Sequence, residues 1–318
     1  MEFRTVVDIP TPPFQIEPLD ELLFVGSCFA DNIGQRFRDQ LFPVTVNPFG
    51  TMYNPVSVLH TIERMRNERR EMRNGDASHF SFPVSHFSFR IVFITLGTNH
   101  VYRLKETGEI VDNCEKRPAR LFQEETLGVD ECADYLRRAV ELLCEWRPDV
   151  QVVFTVSPIR YRKYGYHESQ LSKATLLLAV DKLVGECSMF RSATSGDASL
   201  AKNGECSMSY FPAYELLMDE LRDYRFYASD MLHPSEQAVD YIWEQLVAHY
   251  FSPRAKQFLS DWRPLREALH HRPFHPDSPE HQTFVASTRE KLEHFRTKYG
   301  IKEPFASLLP RILPRSSS

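Results

Sequence analysis

The chain of 318 residues sets 38 Lys and Arg against 43 Asp and Glu, a formal charge of −5, so it lacks the basic excess with which a nucleic-acid binder displaces counterions. Its 12 glycines stand no closer together than eight residues, which excludes the dinucleotide fingerprint G-x-G-x-x-G, a Walker A loop and the nucleophile elbow G-x-S-x-G. No apolar run reaches the roughly 18 residues of a membrane helix, and an N-terminus carrying prolines and acids does not read as a signal peptide.

In chain order, short apolar runs alternate with longer helical patterns, the mark of βαβ units and a mainly parallel sheet. Leu22-Leu23-Phe24-Val25 ends at Gly26 and leads into a helix with Ile33, Phe37 and Leu41 at intervals of four. The loop NPFGTMYNP precedes a helix over about 56–73, whose mixed Arg and Glu read as a solvated face. Ile91 to Leu96 is continuous and β-branched, as a strand buried on both faces should be. A hairpin turning at Glu106-Thr107-Gly108-Glu109 follows, then a helix over 130–147 with Leu136, Val140, Leu143 and Cys144 on one face. Further elements are a strand over 152–156, a helix over 168–184, a short strand near 208–211, and helices near 213–223 and 235–249.

Beyond 250 the character changes. Trp262, Leu265 and Leu269 suggest one helix and 281–298 a charged one, with a frayed tail. Domains are therefore expected at 1–250 and 251–318. Gly185-Glu186-Cys187-Ser188-Met189 recurs as Gly204-Glu205-Cys206-Ser207-Met208, which reads as a local duplication that lengthened a surface loop. The six cysteines (28, 114, 132, 144, 187, 206) form no C-x-x-C pair and read as reduced thiols in a cytoplasmic protein. His270, His271, His275 and His281 are broken up by prolines and lack metal-ligand spacing. Neither a metal nor a cofactor is expected.

Ligands of open α/β sheets sit beyond the carboxyl ends of the strands. Ser27 follows the first strand and opens a helix, near unpaired N–H groups and the positive end of the helix dipole. A serine there is either an N-cap or a nucleophile; the adjacent Cys28 is the alternative nucleophile but reads rather as a small packed side chain. Downstream, Asp230-Met231-Leu232-His233 lets one loop present a carboxylate and an imidazole together, so that Asp230 fixes the tautomer while the other nitrogen accepts a proton. With Ser27 they form a triad in the order Ser, Asp, His.

The segments FVGSCFADNIGQRF, NPFGTMYNP, TLGTNHVYRLKETGEIVDN, TVSPIR, HESQLSKATLLLAVD and DELRDYRFYASDMLHPSEQAVDYIWE resemble the GSCFA-domain family, within the SGNH (GDSL-like) esterases and lipases. The resemblance spans about residues 20–250. It implies a three-layer α/β/α sandwich of SGNH/flavodoxin-like type, followed by a C-terminal helical extension. It further implies Ser27 as nucleophile, with Asp230 and His233 as its D-x-x-H block. Oxyanion donors would be the N–H groups of Ser27 and Gly50 and the amide of Asn99. Polar rim residues are Arg160, which would bind an anionic substrate group or orient a loop carboxylate, His167, a helix-start residue or a substrate contact, and His86. The implied activity is a serine hydrolase acting on small-molecule or saccharide esters through an acyl-serine. Acyl transfer by the same triad, or a ligand-binding module without turnover, is the alternative. No nucleic-acid or membrane partner is expected.

Overall fold

The structure, a computed structural model, describes residues 5–73, 88–114, 117–194, 206–271, 275 and 278–301, the side chains of 72, 73 and 187–194 excepted. Five parallel strands make the central sheet: β1 (Leu22–Gly26), β2 (Val44–Val46), β3 (Ile91–Leu96), β7 (Gln151–Val156) and β8 (Ser207–Tyr210). Their order is β2-β1-β3-β7-β8. The chain reverses direction across the sheet between β1 and β3, so a crevice opens at the carboxyl ends of those two strands.

The period of two along each strand divides the core. Leu22, Phe24, Phe93 and Val153 face one side, where α1 (Cys28–Asp39) and α6 (Glu236–Tyr250) pack with Phe37, Ile242 and Tyr250. Leu23, Val25, Val92, Ile94 and Phe154 face the other, against α2 (Pro55–Arg73), α3 (Val129–Trp146) and α4 (Tyr166–Thr194). The result is the expected three-layer α/β/α sandwich. Continuous apolar runs marked β1, β3 and β7 in the sequence because these strands are buried on both faces.

Several elements differ from the sequence reading. The hairpin β4 (His100–Leu104) and β5 (Ile110–Val111) is present, but β4 also pairs antiparallel with β6 (Phe122–Thr126), giving a second sheet of order β5-β4-β6. Most of FQEET is exposed, so it carries no apolar signal. The edge strand β2 is only three residues long. The helix expected at 213–223 is a single α-turn, α5 (Ala213–Glu215), widened into a π-turn over Leu216–Glu220 that buries Leu216, Leu217 and Glu220. Helix α4 extends past 184 and contains the first copy of the repeated pentapeptide.

The second copy lies partly outside the described residues, and its Cys206 is bonded to Cys144 of α3, with Cα atoms 5.9 Å apart at a sequence separation of 62. This corrects the reading of both as reduced thiols. The end of α3 reaches the outer strand β8, a proximity that cysteine spacing cannot reveal. Cys28, Cys114 and Cys132 are free.

Two C-terminal helices, α7 (Pro253–His270) and α8 (Pro279–Tyr299), are capped by Ser252 and Ser278. They join the α1 side of the core: Phe258 packs edge-on against Phe42, and the Trp262 indole N–H donates to the Asp39 carbonyl at 2.8 Å.

Candidate active site

Gly26 sets the geometry at the end of β1. Its φ of +151° and the 2.2 Å approach of Thr95 O to any added Cβ admit only glycine. Its N–H donates to Asn47 Oδ1 at 2.8 Å. Ser27 follows as N-cap of α1, 1% exposed, its Oγ accepting the Phe29 N–H at 3.4 Å. The same hydroxyl donates to Ser157 Oγ, just beyond β7, at 3.0 Å. Capping and a polar partner therefore coexist at Ser27.

The 229–234 loop supplies the second group. Asp230 Oδ1 accepts the N–H groups of Leu232 and His233 at 2.9 and 3.0 Å, and Oδ2 lies 2.6 Å from His233 Nδ1. The imidazole hydrogen bond, seconded by those two N–H groups, holds the Asp230 carboxyl down at about 2. An ionised Asp230 keeps the proton of neutral His233 on Nδ1 and leaves Nε2 as the basic nitrogen. Ser27 and His233 line one cavity of about 470 Å³, although Ser27 Oγ points its hydrogen bond at Ser157 and not at His233.

The other expected residues are placed less simply. The N–H of Ser27 is given to Thr95 O at 3.1 Å. Gly50, at φ +95°, closes a turn with its N–H on Asn47 O at 2.9 Å and lines a neighbouring cavity of about 350 Å³. Asn99 is 6% exposed; its Nδ2 donates to Leu127 O at 2.7 Å and its buried Oδ1 has no hydrogen-bond partner among the described residues. Gly50 and Asn99 are thus not brought to Ser27 in this conformation. Arg160 lines a separate pocket of about 270 Å³, its guanidinium over the rings of Tyr166, Tyr224 and Tyr227 at 4.7, 5.5 and 5.4 Å. His167 is an exposed residue in the first turn of α4, and His86 lies outside the described residues.

Other groups enter the site unheralded. Asn54 lines the Ser27 cavity; its Oδ1 caps α2 through the Ser57 N–H at 3.0 Å, and its Nδ2 donates to no described group. His100 lines the wall, with Nδ1 2.9 Å from Glu124 Oε1 and its ring stacked on Tyr164 at 3.6 Å. Tyr164 shares a 2.9 Å hydroxyl contact with Tyr102, which also accepts from Lys163. Burial, first, and this contact push the Tyr164 phenol well above its usual range. Cys28 and Cys114 also face the cavity, and burial raises the Cys28 thiol. Lys173 of α4 is 2% exposed, its ammonium on the carbonyls of Gly97 and Ser157. Its signal was present in sequence: it shares the buried stripe of Ser172, Leu176, Ala179, Val180 and Leu183, where a lysine is out of place.

An α/β/α sandwich with a serine and an Asp-held histidine at its switch point defines a class, and the sequence refines it. The chain belongs to the GSCFA family, which matches residues 21–89 and 84–246; a second family, described as GSCFA domain protein, C-terminal domain, matches residues 262–302. Among solved structures, the chain is similar to a carbohydrate esterase family 3 protein from Talaromyces cellulolyticus, at 11% identity and a TM-score of 0.39, over 76% of this chain and 99% of that one. It is also similar to a member of the lipolytic protein G-D-S-L family from Veillonella parvula, at 13% identity and a TM-score of 0.39, over 72% and 96%. A third likeness is to an acetyl xylan esterase from Butyrivibrio proteoclasticus, at 11% identity and a TM-score of 0.36, over 77% and 66%. No curated protein matches the chain in sequence.

Proposed function

We propose that the chain is a serine esterase of SGNH type that cleaves carboxylic esters through an acyl-Ser27 intermediate. The observation that carries this reading is the shared cavity: Ser27 at the switch point and His233, with its Nδ1 held by Asp230, line the same space. In the reaction Ser27 Oγ exchanges Ser157 for His233 Nε2. His233 takes the hydroxyl proton as Oγ attacks the ester carbonyl, then returns it to the leaving alcohol; a water repeats the sequence to release the acid.

Negative charge on the carbonyl oxygen needs preorganised donors. Asn54 lines the cavity, and its Nδ2 donates to no described group. Of the donors implied by the family, Ser27 N–H and Gly50 N–H are held by Thr95 O and Asn47 O, and the Asn99 amide commits one N–H to Leu127 O. Tyrosine faces at 53, 102, 161 and 164 line the same cavity. They suit the apolar faces of a sugar ring and support a saccharide or other small-molecule ester as substrate. A fluorophosphonate probe is expected to label the wild type at Ser27 and to leave Ser27→Ala unlabelled, as read by peptide mass spectrometry. A wild type that stays unlabelled, while still binding sugars in calorimetry, would make the cavity a binding site only.

A further inference from the structure

We infer that Lys173 is a positioning residue of the Ser27 site, tying the carboxyl ends of β3 and β7 together and supplying the positive charge against which an oxyanion forms at Ser27. The inference rests on the reading of Ser27 as nucleophile.

Burying an ammonium without a counter-ion is costly, and Lys173 has no carboxylate partner among the described residues. Its compensation is two carbonyls: Gly97 O at 2.7 Å, directly after β3, and Ser157 O at 3.0 Å, directly after β7. Ser157 is the residue whose Oγ holds the Ser27 hydroxyl at 3.0 Å. The preceding residue of α4, Ser172, meets Thr98 Oγ1 at 3.1 Å and accepts the Asn99 N–H at 3.0 Å. One turn of α4 therefore grips three consecutive residues beyond β3 together with the end of β7.

The electrostatic sense follows from what is gripped. Strand-end carbonyls near a developing oxyanion would oppose it, because each presents the negative end of its dipole. Lys173 occupies two of them and leaves a net positive charge one residue removed from Ser27. A leucine or methionine would fill the same stripe position without the cost of a buried charge, so packing alone does not account for a lysine.

The charge is also conditional. Burial brings the ammonium from its usual 10.5 down to about 7. The titratable groups around it are the Cys28 thiol at the start of α1 and the phenol of Tyr214, whose ring centroid lies 5.8 Å from Nζ. The strand ends contribute carbonyls and hydroxyls only. Catalysis thus needs Lys173 charged, so reactivity falls as Lys173 loses its proton.

The test is the second-order rate of Ser27 labelling by a fluorophosphonate between pH 5 and 9, in wild type, Lys173→Met and Lys173→Gln. Wild type is expected to show an alkaline limb. Lys173→Met is expected to lose about tenfold or more near neutrality and to lose the limb with it. Lys173→Gln keeps a neutral donor, so it should lose the limb as well. A glutamine variant that labels like wild type at every pH overturns the inference. So does a Lys173→Met variant that keeps the wild-type melting temperature and labels at the wild-type rate. Absence of labelling in wild type at any pH overturns the nucleophile reading and this one with it, whereas labelling at the same rate in wild type and in both variants overturns this one alone.

Discussion

At Asn54 one side-chain amide carries two tasks, and mutation separates them. Its Oδ1 caps α2, while its Nδ2, on a residue that lines the Ser27 cavity, donates to no described group. Asn54→Asp retains an acceptor suited to the cap but replaces the donor. Its labelling rate at Ser27 is expected to fall about 100-fold, with little change in melting temperature. Asn99→Ala should show the reverse, a loss of about 1–3 kcal/mol in stability from an unpaired Leu127 carbonyl and a smaller loss in rate. Equal rate losses in the two variants would put Asn99 in the oxyanion hole. Asp230, held at about 2 by the His233 hydrogen bond, stays ionised across the whole of the same profile. At this scale the sequence exposes groups whose chemistry is local. Asp230 and His233 announce themselves because one short loop joins them, and Ser27 because a strand meets a helix there. Ser157, Lys173 and Asn54 come from three distant segments, and only the folded sheet end makes them neighbours.

Among the elements, α3 and β8 meet through the one described bond that composition argued against. A link closing 62 residues restricts the unfolded chain by about 4 kcal/mol on the chain-entropy model. Dithiothreitol, or Cys206→Ser, is accordingly expected to lower the melting temperature, and a non-reducing peptide map should contain the Cys144–Cys206 dipeptide pair. Complete alkylation of both thiols without reductant would sink that assignment. The repeated pentapeptide shows why local reading falls short here. Its first copy runs within α4, while the second enters β8 and supplies the bonded cysteine. The same five letters take two structures because the surrounding chain decides. Strands β1, β3 and β7 were legible for the opposite reason: burial on both faces writes an unbroken apolar run. Strand β6, mostly exposed, and β2, three residues at an edge, write none.

For the whole molecule the open question is whether residues after 250 form a unit apart. The change in composition suggests a boundary, yet α7 and α8 complete the same apolar cluster that holds α1 to the sheet. Phe258 is fully buried and touches Phe42, Phe295 and Tyr299 with ring centroids 5.6, 5.1 and 4.8 Å away. Phe42 in turn packs edge-on against Phe37 of α1, the helix that Ser27 caps. A continuous aromatic path thus runs from the C-terminal helices to the helix that positions the nucleophile. If packing is shared in this way, unfolding is one transition. Phe258→Ala, costing about 3–5 kcal/mol, should then shift the far-UV melt and the thermal loss of Ser27 labelling together and by the same amount. Two separate melts, with labelling following only the higher, would mean that the C-terminal helices fold on their own and that the site does not depend on them.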